Sequence, residues 1–408
     1  MTESQPSVTV EQVRSSFPAL QRMQGNIPVA YFDGPGGTQV PLHVSDAVSE
    51  YLLTHNSNQH WNYPTSLETD KVIAFAREAV AEMLRADPRE VAFGPNMTTL
   101  TFHLSRALGR EYGPGDEIVV TELDHHANIA PWQALEKERG ITLKWVRFDT
   151  ASGRLDWDDL GEKLTSSTKL LAIGAASNAL GTISEIGQAI EMAHAVDAEV
   201  FVDAVHLLPH QLVDVRALDC EFLAGSVYKF YGPHIGFLYT RQDRLESLEV
   251  AKLIPSPDSA PDRFETGTLN FEGIAGTGAI VEYFASLGTG STRRECLATA
   301  FDTFHGWGTE LIGRLWSGLA ALERVTLYGP APGTPRTPTL SFTVEGMPSG
   351  DVTTALAKEG LYLTNGHFYA QTVAERYGQL EHGFIRAGCA CYTTTEEIER
   401  LIEAVATL

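Results

Sequence analysis

Short apolar runs and longer amphipathic stretches alternate along the chain between residues 91 and 239. The short runs have the length and composition of buried strands, and the longer stretches have the three-to-four-residue spacing of helices. Strand–helix alternation of this kind predicts an α/β fold with a mainly parallel, doubly wound sheet. The predicted strands are Val91–Phe93, Ile118–Val120, Leu143–Phe148, Leu170–Ala175, Val200–Asp203, Phe222–Ala224 and Gly236–Tyr239, and the clearest helices between them are Thr98–Gly109, Pro131–Glu138 and Ile186–Ala195.

Further elements flank this region. A Gly/Ser/Thr-rich break at residues 288–292 separates the alternating part from a C-terminal part with its own helices and strands. We therefore expect a large domain over residues 25–290 and a smaller α/β domain formed by residues 1–24 and 291–408. The flanking helices are predicted at Val10–Phe17, Ser45–Leu53, Glu68–Leu84, Gly273–Leu287 and Cys296–Leu322, and the clearest elements of the smaller domain at Thr339–Thr343, Val352–Lys358 and Thr395–Val405.

Three polar side chains follow three of the predicted strands. Lys229 stands between Tyr228 and Phe230, Asp203 ends a strand, and His125 comes shortly after another. Open α/β sheets bind ligands beyond the carboxyl ends of their strands. A pyridine aldehyde cofactor needs a lysine for its Schiff base and an acid for its ring nitrogen, and it gains from a flat side chain on the ring. Taken singly, these residues also fit a surface lysine, a helix cap and a core histidine.

The chain resembles a known family at several motifs in order. These are Tyr31-Phe32-Asp33-Gly34-Pro35-Gly36-Gly37-Thr38, the lysine segment around Lys229, Arg386-Ala387-Gly388 and Tyr392-Thr393-Thr394. They resemble the class V aminotransferase group of fold-type-I pyridoxal-phosphate (PLP) enzymes, in its cysteine-desulfurase-like branch. The resemblance implies a fold-type-I PLP-dependent transferase fold, PLP as cofactor and an α-amino acid as substrate.

The resemblance also implies roles for individual residues. Lys229 would form the Schiff base and then move a proton at the substrate Cα, Asp203 would keep the pyridine nitrogen protonated, and His125 would stack on the ring. Thr268 would reach the phosphate of a neighbouring subunit, which implies a homodimer with shared sites. The cofactor-binding set is Asn96, Met97, His125, Asn178, Asp203, His206, Ser226, Lys229 and Thr268, with Met97 acting through its backbone N–H.

The implied substrate site centres on Arg386. Its guanidinium can hold a carboxylate through two parallel hydrogen bonds. Asn178 and Tyr369 are further candidates from the resemblance. His60 lies in an unusual aromatic stretch with Trp61 and Tyr63, which we interpret as a sign of a larger or specialised substrate.

One segment departs from the family pattern. Desulfurases of this branch carry Arg-x-Gly-His-His-Cys-Ala in a loop, whereas this chain has Thr364-Asn365-Gly366-His367-Phe368-Tyr369-Ala370. Tyr369 thus stands in the place of the cysteine, and a phenol cannot carry sulfur as a persulfide. Cys389 and Cys391 lie at odd offsets from Arg386, so on an extended strand we expect them to face away from the substrate.

These observations predict a PLP-dependent lyase that acts through a Schiff base and a Cα carbanion. It would cleave a C–S or other Cβ-substituent bond without a protein persulfide. An aminotransferase or amino-acid epimerase of the same family is the alternative, and a catalytically inert binding module is a third reading that the retained Lys229, Asp203, His125 and Arg386 disfavour.

Composition and net charge limit the kinds of partner, metal site and cellular location that we expect. The 408 residues carry a formal charge of −22, which argues against nucleic acid and against an anionic membrane. The four cysteines are too few and too scattered for a disulfide framework, and their spacing does not suggest a metal site. The sequence has no apolar run long enough for a membrane span, and no apolar segment near the N-terminus of the kind found in secretory leaders. We therefore expect a cytoplasmic enzyme without a metal.

Overall fold

The computed structural model describes residues 8–408 and contains five groups of paired strands. The strands are β1 (Met23–Gln24), β2 (Ile27–Pro28), β3 (Ala30–Tyr31), β4 (Val91–Gly94), β5 (Glu117–Thr121), β6 (Thr142–Val146), β7 (Phe148–Asp149), β8 (Arg154–Leu155), β9 (Thr168–Gly174), β10 (Glu199–Asp203), β11 (Phe222–Ser226), β12 (Gly236–Thr240), β13 (Val325–Tyr328), β14 (Thr339–Val344), β15 (Leu361–Tyr362), β16 (Thr364–Gly366) and β17 (Phe384–Gly388).

Helices surround these strands. The α-helices are α1 (Val10–Ser15), α2 (Leu42–Glu50), α3 (Pro64–Leu84), α4 (Met97–Leu108), α5 (Ala130–Arg139), α6 (Trp157–Lys163), α7 (Ile186–His194), α8 (Val215–Leu218), α9 (Gln242–Ser247), α10 (Phe271–Ser286), α11 (Arg293–Ala320), α12 (Ser349–Lys358), α13 (Gln371–Arg376) and α14 (Thr395–Ala406). Within residues 8–408, no helix combines the length and the apolar composition that crossing a bilayer requires.

The central sheet has seven strands in the order β4-β12-β11-β10-β9-β5-β6. All are parallel except β12, which runs antiparallel to both of its neighbours. The connection from β11 to β12 is short, and a parallel pair would need a crossover of about a dozen residues or more. The mainly parallel sheet predicted from the sequence is confirmed.

Both faces of this sheet are covered, as a doubly wound fold requires. Along β10, Val200 and Val202 are buried in one apolar cluster with α3, α7 and α10, while Phe201 between them is buried in another with α4 and α5. Successive side chains of a strand point to opposite faces, so the continuous apolar runs seen in the sequence are what a sheet buried on both sides demands.

A second, antiparallel sheet has the order β13-β14-β17-β16. It packs against α11, α12 and α14 around Leu315, Phe342, Ile385 and Leu401. The N-terminal part of the chain joins this layer, because β3 pairs with β15 in parallel. The domain boundaries proposed from the sequence stay a prediction.

Two predicted elements differ from those observed. The predicted strand Leu143–Phe148 is broken, because the N–H of Arg147 donates to Asp159 Oδ2 at 2.9 Å instead of to a neighbouring strand. The predicted helix Ser45–Leu53 begins earlier, and after α2 the chain continues as a π-helical turn, Tyr51–His55.

A buried ion pair fastens the segment before α10 to the central sheet. Arg77 of α3 donates to both carboxylate oxygens of Glu265, at 2.8 and 3.0 Å. Glu265 also accepts a hydrogen bond from the N–H of Phe93 in β4. The two side chains are only 11% and 5% exposed, so each charge depends on the other for compensation.

Replacing Glu265 by alanine should therefore destabilise the protein strongly. An uncompensated Arg77 in this position should lower the free energy of unfolding by about 3–5 kcal/mol. Denaturant unfolding of the cofactor-free protein measures this. The matched control is Glu310→Ala, which removes an exposed helix pair with Arg314 and should cost no more than about 0.5 kcal/mol. Equal effects of the two substitutions would contradict the assignment.

Candidate active site

A cavity of about 740 Å³ opens at the carboxyl edge of the parallel strands. The ends of β10 and β11, the segment after β5 and the N-terminus of α4 form its walls, and β16 and β17 border it from the second sheet. Predicted and unpredicted residues meet here. Those that line it include Pro35, Gly36, Met97, Thr98, Phe102, Asp124, His125, His126, Asn178, Asp203, His206, Ser226, Tyr228, Lys229, Thr364, Phe368, Tyr369 and Arg386.

Lys229 ends a one-turn helix, Val227–Lys229, directly after β11. Its Nζ donates to the backbone oxygens of Pro35 and Gly36, each 2.8 Å away, and lies 5.1 Å from the ring centre of Tyr228. Burial lowers the pKa of the Lys229 amine from 10.5 to about 7. The neutral amine, which is the form that attacks an aldehyde, is therefore well populated at neutral pH.

Asp203 is the last residue of β10 and is 7% exposed. Burial raises the pKa of its carboxyl group to about 6, although a hydrogen bond from the N–H of Val205, 3.0 Å long, works in the opposite direction. A carboxyl group with this pKa is mainly ionised at pH 7. It can therefore hold a proton on a ring nitrogen placed beside it.

His125 follows β5 and presents its ring to the cavity. Its Nδ1 accepts a hydrogen bond from the N–H of Ala127 at 2.9 Å. Burial lowers the pKa of the imidazole to about 4, so the ring is neutral and its Nε2 carries the proton. A flat, neutral ring held in this way is suited to stacking on an aromatic cofactor.

Donors gather where α4 begins. The N–H of Met97 donates to Ser226 Oγ at 3.0 Å, and Thr98 lines the cavity beside them. A helix N-terminus suits a phosphate group, and here Ser226 Oγ accepts the N–H of Met97. Asn96 does not line the cavity, because its Oδ1 caps α4 by accepting from the N–H and hydroxyl of Thr99.

Two other predicted residues also lie outside the cavity of this single chain. His60 is exposed and lies 3.4 Å from a carboxylate oxygen of Asp70. Thr268 lines a separate cavity of about 260 Å³ that also includes His103. A contribution of Thr268 to a neighbouring subunit stays a prediction.

Asn178 and His206 lie on the cavity wall, and both have partners on other segments. Asn178 Nδ2 donates to the backbone oxygen of Phe368 at 2.9 Å, while its buried Oδ1 has no partner among the described residues. His206 Nε2 lies 3.1 Å from the hydroxyl of Thr337. Burial keeps the pKa of His206 well below its usual range, so this imidazole is also neutral.

Arg386, in the middle of β17, is 3% exposed. Its Nη1 donates to the backbone oxygen of Asn178 at 2.8 Å and its Nε to Thr364 Oγ1 at 3.3 Å. Burial lowers the pKa of the guanidinium to about 9, although the charge of Asp33 works in the opposite direction. No carboxylate in residues 8–408 forms an ion pair with it. A buried, unpaired guanidinium at a cavity wall is ready to bind an anionic group.

The sequence did not assign a role to Asp124, although it stands next to His125. Its carboxyl group accepts a hydrogen bond from the Thr121 hydroxyl at 2.8 Å. Burial, with a further contribution from the charge of Asp203, raises the pKa of Asp124 to about 8. A Cβ at Gly174 would lie 2.2 Å from Asp124 Oδ1, so a glycine is needed there. Tyr228 and Phe368 were also missed, since their positions in the cavity follow from tertiary contacts.

The comparisons with known proteins agree with this geometry. The family model for aminotransferase class-V matches residues 30–401. The chain belongs to the class V aminotransferase family. A cysteine desulfurase of Dickeya dadantii is 32% identical over 96% of this chain and 95% of its own length.

Solved structures of cysteine desulfurases have the same fold. The apo enzyme from Thermococcus onnurineus NA1 covers 99% of this chain and 98% of its own, with a TM-score of 0.89 and 28% identity. The S-sulfonic acid form of CsdA from Escherichia coli covers 98% of each chain, with a TM-score of 0.85 and 27% identity. The predicted fold-type-I architecture is confirmed.

Class V aminotransferases are PLP-dependent, so the predicted cofactor is confirmed at the level of the family. The residues of the cavity fit this group. Lys229 is an amine with a lowered pKa, Asp203 an ionised acid and His125 a neutral flat ring, and the start of α4 is a helix N-terminus at the cavity wall, which suits a phosphate group. In residues 8–408, no group of three or more His, Cys, Asp and Glu side chains is placed to hold a metal ion.

The lowered pKa of Lys229 predicts how the cofactor-free protein takes up PLP. Below this pKa the amine is protonated and cannot attack the aldehyde, and above it the amine is free. The rate of incorporation, followed by absorbance, should rise with a midpoint near pH 7 and then level off. A rate that still climbs at about pH 9, as for a lysine with an ordinary pKa, would contradict this assignment.

Proposed function

We propose that the protein is a PLP-dependent lyase that cleaves the Cβ–S bond of a cysteine-like α-amino acid and releases the sulfur directly into solution. Its membership of the class V aminotransferase family and its cysteine desulfurase relatives support the desulfurase-like chemistry. The observation that supports the release of sulfur into solution is the position of the four cysteines.

None of these cysteines, all within residues 8–408, lines the 740 Å³ cavity. Cys220, Cys389 and Cys391 are buried, and burial raises the pKa of each thiol to about 12. Cys389 borders a small void of about 10 Å³ behind Lys229 and His206, which has room for no more than a single water molecule. Cys296 lies in the first turn of α11. The thiol that would accept sulfur is therefore missing from the cavity wall.

The chain's own residues supply the steps that the reaction needs. PLP, when bound, supplies an electron sink that stabilises negative charge at the substrate Cα. Arg386 binds the substrate carboxylate, and Asp203 keeps a proton on the ring nitrogen. Lys229, with a pKa of about 7, accepts the proton from Cα. The Cβ–S bond then breaks, and the sulfur leaves with its bonding electrons and needs one proton to become a neutral thiol or sulfide.

Tyr369 is in position to meet the leaving group. Its ring centre lies 5.5 Å from that of His125, and the side chain is 68% exposed at the cavity mouth. A phenol is an acid rather than a base at neutral pH. We therefore assign Tyr369 to orienting the substrate side chain or giving a proton to the departing sulfur.

A homodimer with shared sites and a cytoplasmic location belong to the same proposal. Large apolar side chains are exposed on the single chain, among them Leu53 at 81%, Trp61 at 59% and Ile254 at 98%. A second copy of the chain would cover such a surface and bring Thr268 to the neighbouring site. The four unpaired cysteines fit a reducing compartment.

Arg386→Ala should reduce the use of amino acids and leave PLP binding intact. Loss of a bidentate hold on a carboxylate costs roughly 2–5 kcal/mol, so kcat/KM should fall by at least about a hundredfold. Arg386→Lys keeps the charge without the bidentate geometry, so its kcat/KM should lie between those of the wild type and Arg386→Ala. If kcat/KM stays unchanged while the cofactor spectrum is normal, the carboxylate is held elsewhere.

The fate of sulfur separates this proposal from the alternatives. PLP-loaded protein given L-cysteine should produce sulfide in solution, and mass spectrometry should find no persulfide on any of the four cysteines. A persulfide on Cys389 or Cys391 would return the protein to persulfide-forming desulfurases, and activity only with pyruvate and a donor amino acid would make it an aminotransferase.

Tyr369→Phe should lower kcat without loss of PLP, because it removes the hydroxyl group.

A further inference from the structure

The backbone between β16 and α13 adopts an unusual conformation. Phe368 and Tyr369 have φ angles of +55° and +58°, so two successive non-glycine residues are left-handed. This conformation brings Cβ too close to the backbone and is costly for side chains of this kind. Such residues persist where the surroundings hold them, and they cluster at ligand-binding sites.

Four hydrogen bonds hold this turn, one of them within the turn itself, from the N–H of Ala370 to the oxygen of His367 at 2.7 Å. Asn178 Nδ2 donates to the oxygen of Phe368 at 2.9 Å, and the backbone N–H of His126 donates to the oxygen of Tyr369 at 2.8 Å. The N–H of Tyr369 donates to His367 Nδ1 at 3.1 Å. Two of the four donors, on Asn178 and His126, come from segments of the large sheet across the cavity, so the turn is held to the site from outside as well as by its own bonds.

The turn places the ring of Phe368 against Arg386. The guanidinium carbon lies 4.1 Å from the ring centre, whereas the other five cation–π contacts in residues 8–408 measure 5.0–5.4 Å. Nε and Nη1 are used by Thr364 and Asn178. One face of the guanidinium and one N–H each of Nε and Nη1 are thus used, while the second N–H of Nη1 and both N–H groups of Nη2 have no hydrogen-bond partner among the described residues.

We infer that Phe368 is a positioning residue for Arg386. Its ring compensates part of the cost of burying an unpaired cation and fixes the plane of the guanidinium. The edge that carries Nη2 and the free N–H of Nη1 is thereby presented to the substrate carboxylate in one orientation. This inference rests on the proposed role of Arg386 as the carboxylate-binding residue.

The test measures binding of glycine, which has a carboxylate but no leaving group. Glycine is titrated into PLP-loaded protein and its Kd is read from the cofactor absorbance. Phe368→Leu keeps an apolar side chain but removes the ring, and we expect glycine binding to weaken about tenfold. Phe368→Tyr, the matched control, keeps the ring, and its Kd for glycine should stay within about twofold of the wild-type value. With L-cysteine, Phe368→Leu should raise KM more than it lowers kcat, and PLP content should match the wild type.

Arg386→Ala provides the decisive background. If Phe368 acts through Arg386, Phe368→Leu should have no further effect on the Kd of glycine once Arg386 is alanine. An equal loss in both backgrounds, or no loss in the wild-type background while Arg386→Ala weakens binding, would overturn the role of Phe368 alone. If Arg386→Ala leaves the Kd unchanged, the carboxylate assignment fails first and this inference falls with it.

Discussion

Burial of charge at the edge of the central sheet is the constraint on which the site depends. Lys229, Arg386, Asp203 and Asp124 line one cavity and are largely removed from water, and each buried charge costs several kcal/mol unless it is compensated. The pKa values shift accordingly, to about 7 for Lys229, about 9 for Arg386, about 6 for Asp203 and about 8 for Asp124. At neutral pH, one carboxylate is charged, its neighbour is neutral, and the lysine is poised between its two forms.

The charged side chains of the site are held by two different sheets. The central sheet carries Asp203 and Lys229 at the ends of β10 and β11, and the second sheet carries Arg386 on β17. The loop that contains Asn178 links them. Ser341 Oγ of β14 donates to the oxygen of Ala179 at 2.6 Å, and Arg386 donates to the oxygen of Asn178. A shift of the second sheet would therefore also move Asn178.

Much of this arrangement follows from local sequence. Asp203 and Lys229 end apolar runs, and the carboxyl ends of parallel strands meet at one edge, so their approach was predictable. Arg386 and Asn178 came only from the resemblance. The left-handed turn at Phe368 was not predictable, because it is imposed by donors on Asn178 and His126, which are far away in the sequence.

The antiparallel direction of β12 and the break in the strand at Arg147 were likewise not predicted from the sequence. Apolar periodicity reports burial but neither strand direction nor the partner of a single N–H group. Asn96 Oδ1 caps α4 through the N–H and hydroxyl of Thr99, a use of the side chain that the sequence did not predict, and its role in cofactor binding stays a prediction.

Borohydride reduction of the PLP-loaded protein, followed by peptide mapping, tests the central claim most directly. The whole site is built around Lys229 as the amine that binds the cofactor aldehyde. The account predicts that the reduced adduct lies on the peptide containing Lys229 and that Lys229→Ala abolishes it. An adduct on any other lysine would contradict the assignment of the entire site.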